Sequence, residues 1–147
     1  METNEKTVIR IRATVDKAIE IVWKCWITPE DIVRWNNASE DWYTPRAQND
    51  LQVDGTFNYR MEARDGSFGF DFSGIYSNVI PNKLIEYTMD DGRKVSIQFN
   101  PLVKGTEITE SFEAEEINPV EMQRIGWQSI LNNFKRYTEN MSLLKVI

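Results

Sequence analysis

The stretch Val8 to Val15, VIRIRATV, alternates apolar and polar residues and is rich in β-branched side chains, which predicts a strand. The period then changes. Asp16 is placed to cap a helix in which Ala18, Ile19, Val22, Trp23 and Trp26 recur at spacings of three and four. Thr28-Pro29-Glu30-Asp31 restarts a helix, with a Thr cap, Pro at the first position and acids in the first turn. Ile32, Val33 and Trp35 form its expected buried side, and Asn36 to Asp41, NNASED, reads as a polar loop. From about residue 43 to 113 the pattern has a period of two. Phe57, Tyr59 and Met61 form one run, and Phe68, Phe70 and Phe72 a second. Ile85, Tyr87 and Met89 follow, then Val95, Ile97 and Phe99, then Ile108, Glu110 and Phe112. The runs end at Asp65-Gly66, Pro81-Asn82, Asp91-Gly92 and Asn100-Pro101 with Gly105, which are turn signals.

A final helix opens at NPVEMQ, with Asn118 as its expected N-cap, Pro119 at the first position and Glu121 closing a capping box. Met122, Gly126, Trp127, Ile130, Leu131, Phe134, Tyr137, Met141 and Leu144 share one face of a helix of about 25 residues. The order is strand, two short helices, a long antiparallel meander and one long helix. Short runs with tight connections make antiparallel neighbours. The apolar sheet face and the helix stripe each need cover, and the simplest solution is a curved sheet gripping the helix. This is an α+β architecture in a single domain spanning 1–147. Glycine within a helix costs on the order of 1 kcal/mol relative to alanine. Gly126, immediately before Trp127, is therefore expected to allow close approach to the sheet or to leave an empty volume.

Composition narrows the function. The chain has 147 residues, 41% hydrophobic and 27% charged, as a globular domain does. No apolar run approaches the roughly 20 residues of a membrane span, and METNEKTVIRIRATV has no signal-peptide core, so no membrane insertion and a cytoplasmic location are expected. The net charge is −6 and basic residues are scattered, which argues against nucleic acid. Histidine is absent, which removes the commonest general base and metal ligand. The single cysteine, Cys25, permits no internal disulfide and reads as a structural thiol beside an apolar helical face. No carboxylate cluster has ligand-like spacing, so neither a metal nor a cofactor is expected. A homodimer through the outer sheet face or an edge strand stays open.

Several segments resemble one known family: ATVDKAIEIVWKCWITPEDIVRW at 13–35, DLQVDGTFNYRM at 50–61, FSGIYSNVIPNKLIEYTM at 72–89, GTEITESFEAEE at 105–116 and GWQSILNNFKRY at 126–137. The chain is similar to bacterial proteins related to the C-terminal domain of the activator of the heat-shock-protein-90 ATPase. These lie within the START and birch-pollen-allergen helix-grip superfamily, also called SRPBCC. The resemblance implies a deep cavity between sheet and long helix. It does not imply one activity, since the superfamily includes lipid carriers, hormone receptors, cyclases and dioxygenase domains. Asp54-Gly55 stands where a Gly-Gly pair is common, and Gln123 stands where relatives often carry histidine.

The candidate cavity residues are Trp26, Trp35, Phe57, Tyr59, Phe70, Phe72, Tyr87, Phe99, Gln123, Gly126, Trp127, Ile130 and Phe134. Most of the rings are equally suited to filling a core, and Gln123 to bonding a loop. Asp71, Glu86 and Glu110 fall in or beside strands and read as outer-face residues. The expected function is binding of a small apolar or amphipathic molecule. An enzyme acting on a hydrophobic substrate would need Asp, Glu, Tyr or Arg in the cavity, because no catalytic constellation is recognisable. A carboxylate in the cavity would favour that alternative. A chaperone partner, as for the family's namesake, is the third reading. The namesake works with a separate N-terminal domain, whereas 147 residues leave room for one domain.

Overall fold

A computed structural model describes residues 6–141. Its elements are β1 (Val8–Val15), α1 (Ile19–Ile27), α2 (Pro29–Trp35), β2 (Trp42–Asn49), β3 (Thr56–Ala63), β4 (Gly69–Ile80), β5 (Leu84–Met89), β6 (Lys94–Pro101), β7 (Thr106–Glu113) and α3 (Val120–Glu139). The seven strands form one antiparallel, curled sheet in the order β1-β7-β6-β5-β4-β3-β2. The meander therefore runs across the sheet in chain order, and β1 crosses back to pair with β7, from Val8 opposite Glu113 to Val15 opposite Thr106. This is the helix-grip arrangement expected from the pattern.

Several local expectations change. Strand β2, WYTPRAQN, carries no alternating run. Pro45 sits in it, and the register slips between Tyr43 and Arg46. Both are tolerated because β2 is an edge. Phe68 lies in the turn before β4 and is 62% exposed, so it does not continue the Phe70 and Phe72 run. Ala18, not Asp16, is the N-cap of α1, and no side chain caps it. Thr28 is the N-cap residue of α2 with Pro29 at the first position, as expected, but its Oγ1 donates to the Lys24 carbonyl at 2.6 Å, so its side chain closes α1 and makes no cap bond to α2. Helix α3 begins one residue later than expected, with Pro119 as N-cap. Glu121 pairs with Arg124 instead of closing a capping box. Met122 is exposed because it precedes the part of α3 that lies over the sheet. Leu144 lies outside the described residues.

Helix α3 is held asymmetrically. Its backbone runs close to β1 and touches α1 and α2, and it stands away from β3, β4 and β5. Arg124 donates to the Arg10 carbonyl (3.1 Å), Gln128 to the Arg12 carbonyl (3.1 Å) and Lys135 to the Thr14 carbonyl (2.5 Å). Asn133 donates to the Trp35 carbonyl at 2.9 Å, tying α3 to the end of α2. Asp31, read from sequence as a first-turn acid, is buried between the helices. Lys24 Nζ lies 3.0 Å from its carboxylate and the Tyr137 hydroxyl donates to it. Cys25 is fully buried, which pushes its thiol up and suits the structural role expected of it.

Two glycines behave in opposite ways. Gly74 of β4 is buried, and a Cβ there would lie 2.6 Å from the Thr88 carbonyl oxygen and 3.0 Å from the Phe57 ring. Gly126 allows no such close approach, since a Cβ built on it meets nothing within 4 Å. Gly126→Ala is therefore expected to stabilise the protein by about 0.5–1 kcal/mol. Gly74→Ala is expected to destabilise it by about 1–3 kcal/mol through overpacking. Urea unfolding midpoints of both variants check the contrast. A destabilised Gly126→Ala would show that the helix packs more tightly there than this geometry has it.

Candidate functional site

The concave side of the sheet is one aromatic surface with two fates. At the end covered by α1 and α2, Phe134 of α3 packs against the touching pair Trp26 and Trp35 (5.0 Å apart), with ring centroids 4.8 and 4.9 Å away and both contacts edge-on. Phe99 closes the cluster against Trp26 (5.7 Å) and Trp23 (5.3 Å). Edge-to-face contacts of this kind are the favoured geometry for aromatic pairs. The Trp35 indole N–H donates to the Cys25 carbonyl at 2.9 Å, so its burial leaves no donor unpaired. This end is solid.

The other end is not. Where α3 stands off from β3, β4 and β5, a cavity of about 460 Å³ remains. Register brings its rings together across strands, with Tyr59 opposite Phe72 and Tyr76 opposite Tyr87. Phe57 sits at the hub, 4.7 Å from Tyr87, 5.1 Å from Tyr59 and 5.5 Å from Phe72. Trp127 forms the helix-side wall. It stacks on Phe112 at 3.9 Å and 11° and meets Phe72 edge-on at 6.0 Å.

Nine of the thirteen expected residues line this space: Trp26, Trp35, Phe57, Tyr59, Phe70, Phe72, Tyr87, Trp127 and Ile130. The other four do not. Phe99 and Phe134 belong to the solid cluster, and Phe134 has no exposure at all. Gln123 is buried, but its amide is used up. It accepts from the Glu115 N–H (2.9 Å) and donates to the carbonyls of Glu115 (3.0 Å) and Asn118 (2.7 Å), pinning the β7–α3 connection. Gly126 lies half-buried beside open space, off the cavity wall.

The main residue that the sequence reading misplaced is Glu110. It is not on the outer face. It pairs with Ile11 and Ile97 in the sheet, is 6% exposed and lines the cavity. The signal was present in β7, because residues two apart share a face and Ile108 and Phe112 flank Glu110 in that phase. Burial pushes its carboxyl up to about 8, with no hydrogen bond or neighbouring charge offsetting the shift. The phenol of Tyr87 is also raised, first by burial and then by Glu110. Burial likewise raises Tyr59 and Tyr76, and Tyr76 donates to Asn49.

The other two carboxylates do lie outside. Asp71 is exposed near Arg60 (3.8 Å) and Arg46 (3.9 Å), although it reaches the cavity rim. Glu86 accepts from Asn78. Asp90, Asp91 and Arg93 complete the rim, with Arg93 Nε 2.8 Å from Asp91 and its Nη1 donating to the Glu113 carbonyl at 3.4 Å. Among the described residues, no group of three His, Cys, Asp or Glu is placed to hold a metal ion, and no helix is long and apolar enough to cross a membrane.

Residues 16–139 match the family described as Activator of Hsp90 ATPase homolog 1-like protein. The chain belongs to this family. It is similar to the AHSA1-like protein from Aeromonas hydrophila, known from a solution structure, at 45% identity and a TM-score of 0.86, over 90% of this chain and 92% of that one. A protein from Cytophaga hutchinsonii, also solved in solution, is 55% identical with a TM-score of 0.79 over the same shares of each chain. A crystal structure of a Chromobacterium violaceum protein, 22% identical over 91% of this chain and 98% of that one, shares the fold at a TM-score of 0.82. No curated protein matches the chain. The AHSA1-like fold is one that commonly binds hydrophobic ligands.

Glu110 leaves a signature in stability. Its carboxyl keeps a proton in the folded state up to about pH 8 and loses it near 4.5 when unfolded. The folded state thus binds the extra proton between these values, and stability falls as pH rises through that window, by up to about 1.4 kcal/mol per pH unit. No histidine titrates there. Glu110→Gln is expected to flatten the pH dependence of the urea midpoint between pH 5 and 8 relative to the parent protein. Identical slopes in the two proteins would place the carboxyl in water.

Proposed function

We propose that the protein binds a small apolar or amphipathic molecule in the cavity between α3 and strands β3 to β7. The observation that carries this reading is a partly open cavity of about 460 Å³, walled by aromatic and aliphatic side chains, with most of its charged groups at the rim and Glu110 within. That size and lining match the range of small-molecule sites, in which a few convergent polar groups set orientation. A domain that needed only a stable core would gain by filling this space, since empty apolar volume costs stability at about 24 cal/mol per Å³. The solid Phe134 end of the same sheet face has no such gap.

A second reading is favoured by one observation. Glu110 is a carboxyl held near neutrality in an apolar site, as a general acid or base requires. In that case the ligand is a substrate and Glu110 moves its proton. Turnover of the bound molecule that is lost in Glu110→Gln with binding retained would establish it. Nothing in the geometry favours chaperone-ATPase stimulation over occupation of the cavity.

Native mass spectrometry of the purified protein, beside the same sample denatured, is the direct test. The expected result is a non-covalent excess on the order of a few hundred daltons, lost on denaturation. The neutral fluorophore N-phenyl-1-naphthylamine is expected to brighten on binding, and Ile130→Trp, which fills the cavity from α3, to weaken it about tenfold. Binding unchanged by Ile130→Trp would move the ligand site elsewhere.

A further inference from the structure

The cavity-binding reading can be taken further, to the charge of the ligand. Glu110 reaches the cavity from the middle of β7, nine-tenths buried and without a hydrogen-bond or ionic partner among the described residues. Buried carboxyls in proteins are normally matched by a cation or a set of donors. Here the protein supplies neither. The titratable side chains facing the cavity from β3, β4 and β5 are the phenols of Tyr59, Tyr76 and Tyr87 and, at the rim, Asp71 of β4, while β1, α1, α2 and α3 contribute no charged side chain to its wall. Among the described residues the one cation on the wall, Arg93, is already engaged by Asp91 and the Glu113 carbonyl. The wall's remaining charges among the described residues are the carboxylates Asp71, Asp90 and Asp91 at the rim, where Arg46 and Arg60 flank Asp71 and Arg93 pairs with Asp91. Ring faces, which attract cations, make up much of the surface between rim and Glu110.

We propose that the ligand carries a protonated amine, seated against Glu110, with its apolar body laid along Phe57, Phe72 and Trp127. This rests on the cavity-binding reading above. An ammonium supplies the charge and the donors that the carboxyl lacks. Binding below the carboxyl's own titration range expels one proton from Glu110, because the ion pair needs the ionised form. Affinity then rises with pH from 6 to 8, by up to about tenfold per unit, and levels off above.

The experiment uses three probes with one apolar body: 2-(1-naphthyl)ethylamine, 2-(1-naphthyl)ethanol and 1-naphthylacetate. An octyl series of amine, alcohol and carboxylate distinguishes an aromatic source of the ammonium from an alkyl one. Kd is measured by calorimetry at pH 6, 7 and 8, in buffers of different ionisation enthalpy to count protons released. The expected result is that at pH 8 an amine binds about tenfold or more tighter than its alcohol, with the carboxylate weakest and near one proton released at pH 6. Glu110→Gln is expected to remove the amine's advantage over its alcohol. If that variant fails to fold, the probe comparison in the parent protein still decides. Alcohols binding as well as amines, or affinity that falls as pH rises, overturns the ammonium assignment and leaves the cavity reading standing. If no probe of any charge binds, both fall.

Discussion

The architecture depends on one contact, the packing of Phe134 against the paired indoles of Trp26 and Trp35. A straight helix cannot follow a curled sheet along its whole width. It must be anchored somewhere, and the anchor decides where the gap opens. Here α1 and α2 bring two touching indoles to one end of the concave face, and α3 sets a phenyl ring edge-on against both. Polar bonds from α3 to the β1 carbonyls and to Trp35 hold the same side. The far strands curve away from a helix already committed elsewhere. The cavity is thus what remains when a rigid rod is fastened near the edge of a curved surface. Trp127, stacked flat on Phe112, sets the width of the gap from the helix side.

Within that gap the placement of Glu110 runs against stability. A carboxyl facing rings with no partner costs desolvation energy that any apolar residue in β7 would avoid. Polar residues in such positions are where local rules are broken for a purpose. The same physics explains why the surrounding phenols are raised. Burial is the first cause for Tyr59, Tyr76 and Tyr87 alike, and neighbouring ionisable groups add to it at Tyr59 (Tyr76 and Tyr87) and at Tyr87 (Glu110 and Tyr76). The site is therefore electrostatically quiet at neutral pH, a neutral acid among neutral phenols, with its formal charges confined to the rim.

Much of the fold was legible because its strands β3 to β7 each bury one face, so the period of two is strong. Strand β2 was not, because an edge strand with Pro45 and a bulge has little apolar face to display. The start of α2 was read correctly from Thr28-Pro29, whereas α1 and α3 begin one or two residues later than their capping residues suggested, at Ala18 and Pro119 in place of Asp16 and Asn118. The site was legible in composition and not in extent. Phe134 and Trp127 lie on one helical stripe, and helical phase alone cannot tell the filled end from the open one, since that depends on how the sheet curves. Gln123 has the phase of a cavity residue, but its amide closes the turn before α3. Glu110 was placed in the right run and given the wrong face, because its charge was weighed above the alternation of its neighbours.

The row of bonds from Arg124, Gln128 and Lys135 to alternate carbonyls of β1 has a consequence for how the chain reaches this state. These carbonyls are the free edge of the sheet, the groups on which another extended strand would form its ladder. The helix that covers them comes later in the chain than every strand, and β1 itself must wait for β7 before it has a neighbour at all. During synthesis the first strand therefore emerges with both edges open and keeps one open until α3 docks. Folding of this sheet is slow by topology, since its outermost pairing joins segments about a hundred residues apart. Helix α3 acts as a late-closing guard on the sheet, and the same side chains that hold it in place end the interval in which the nascent protein is sticky.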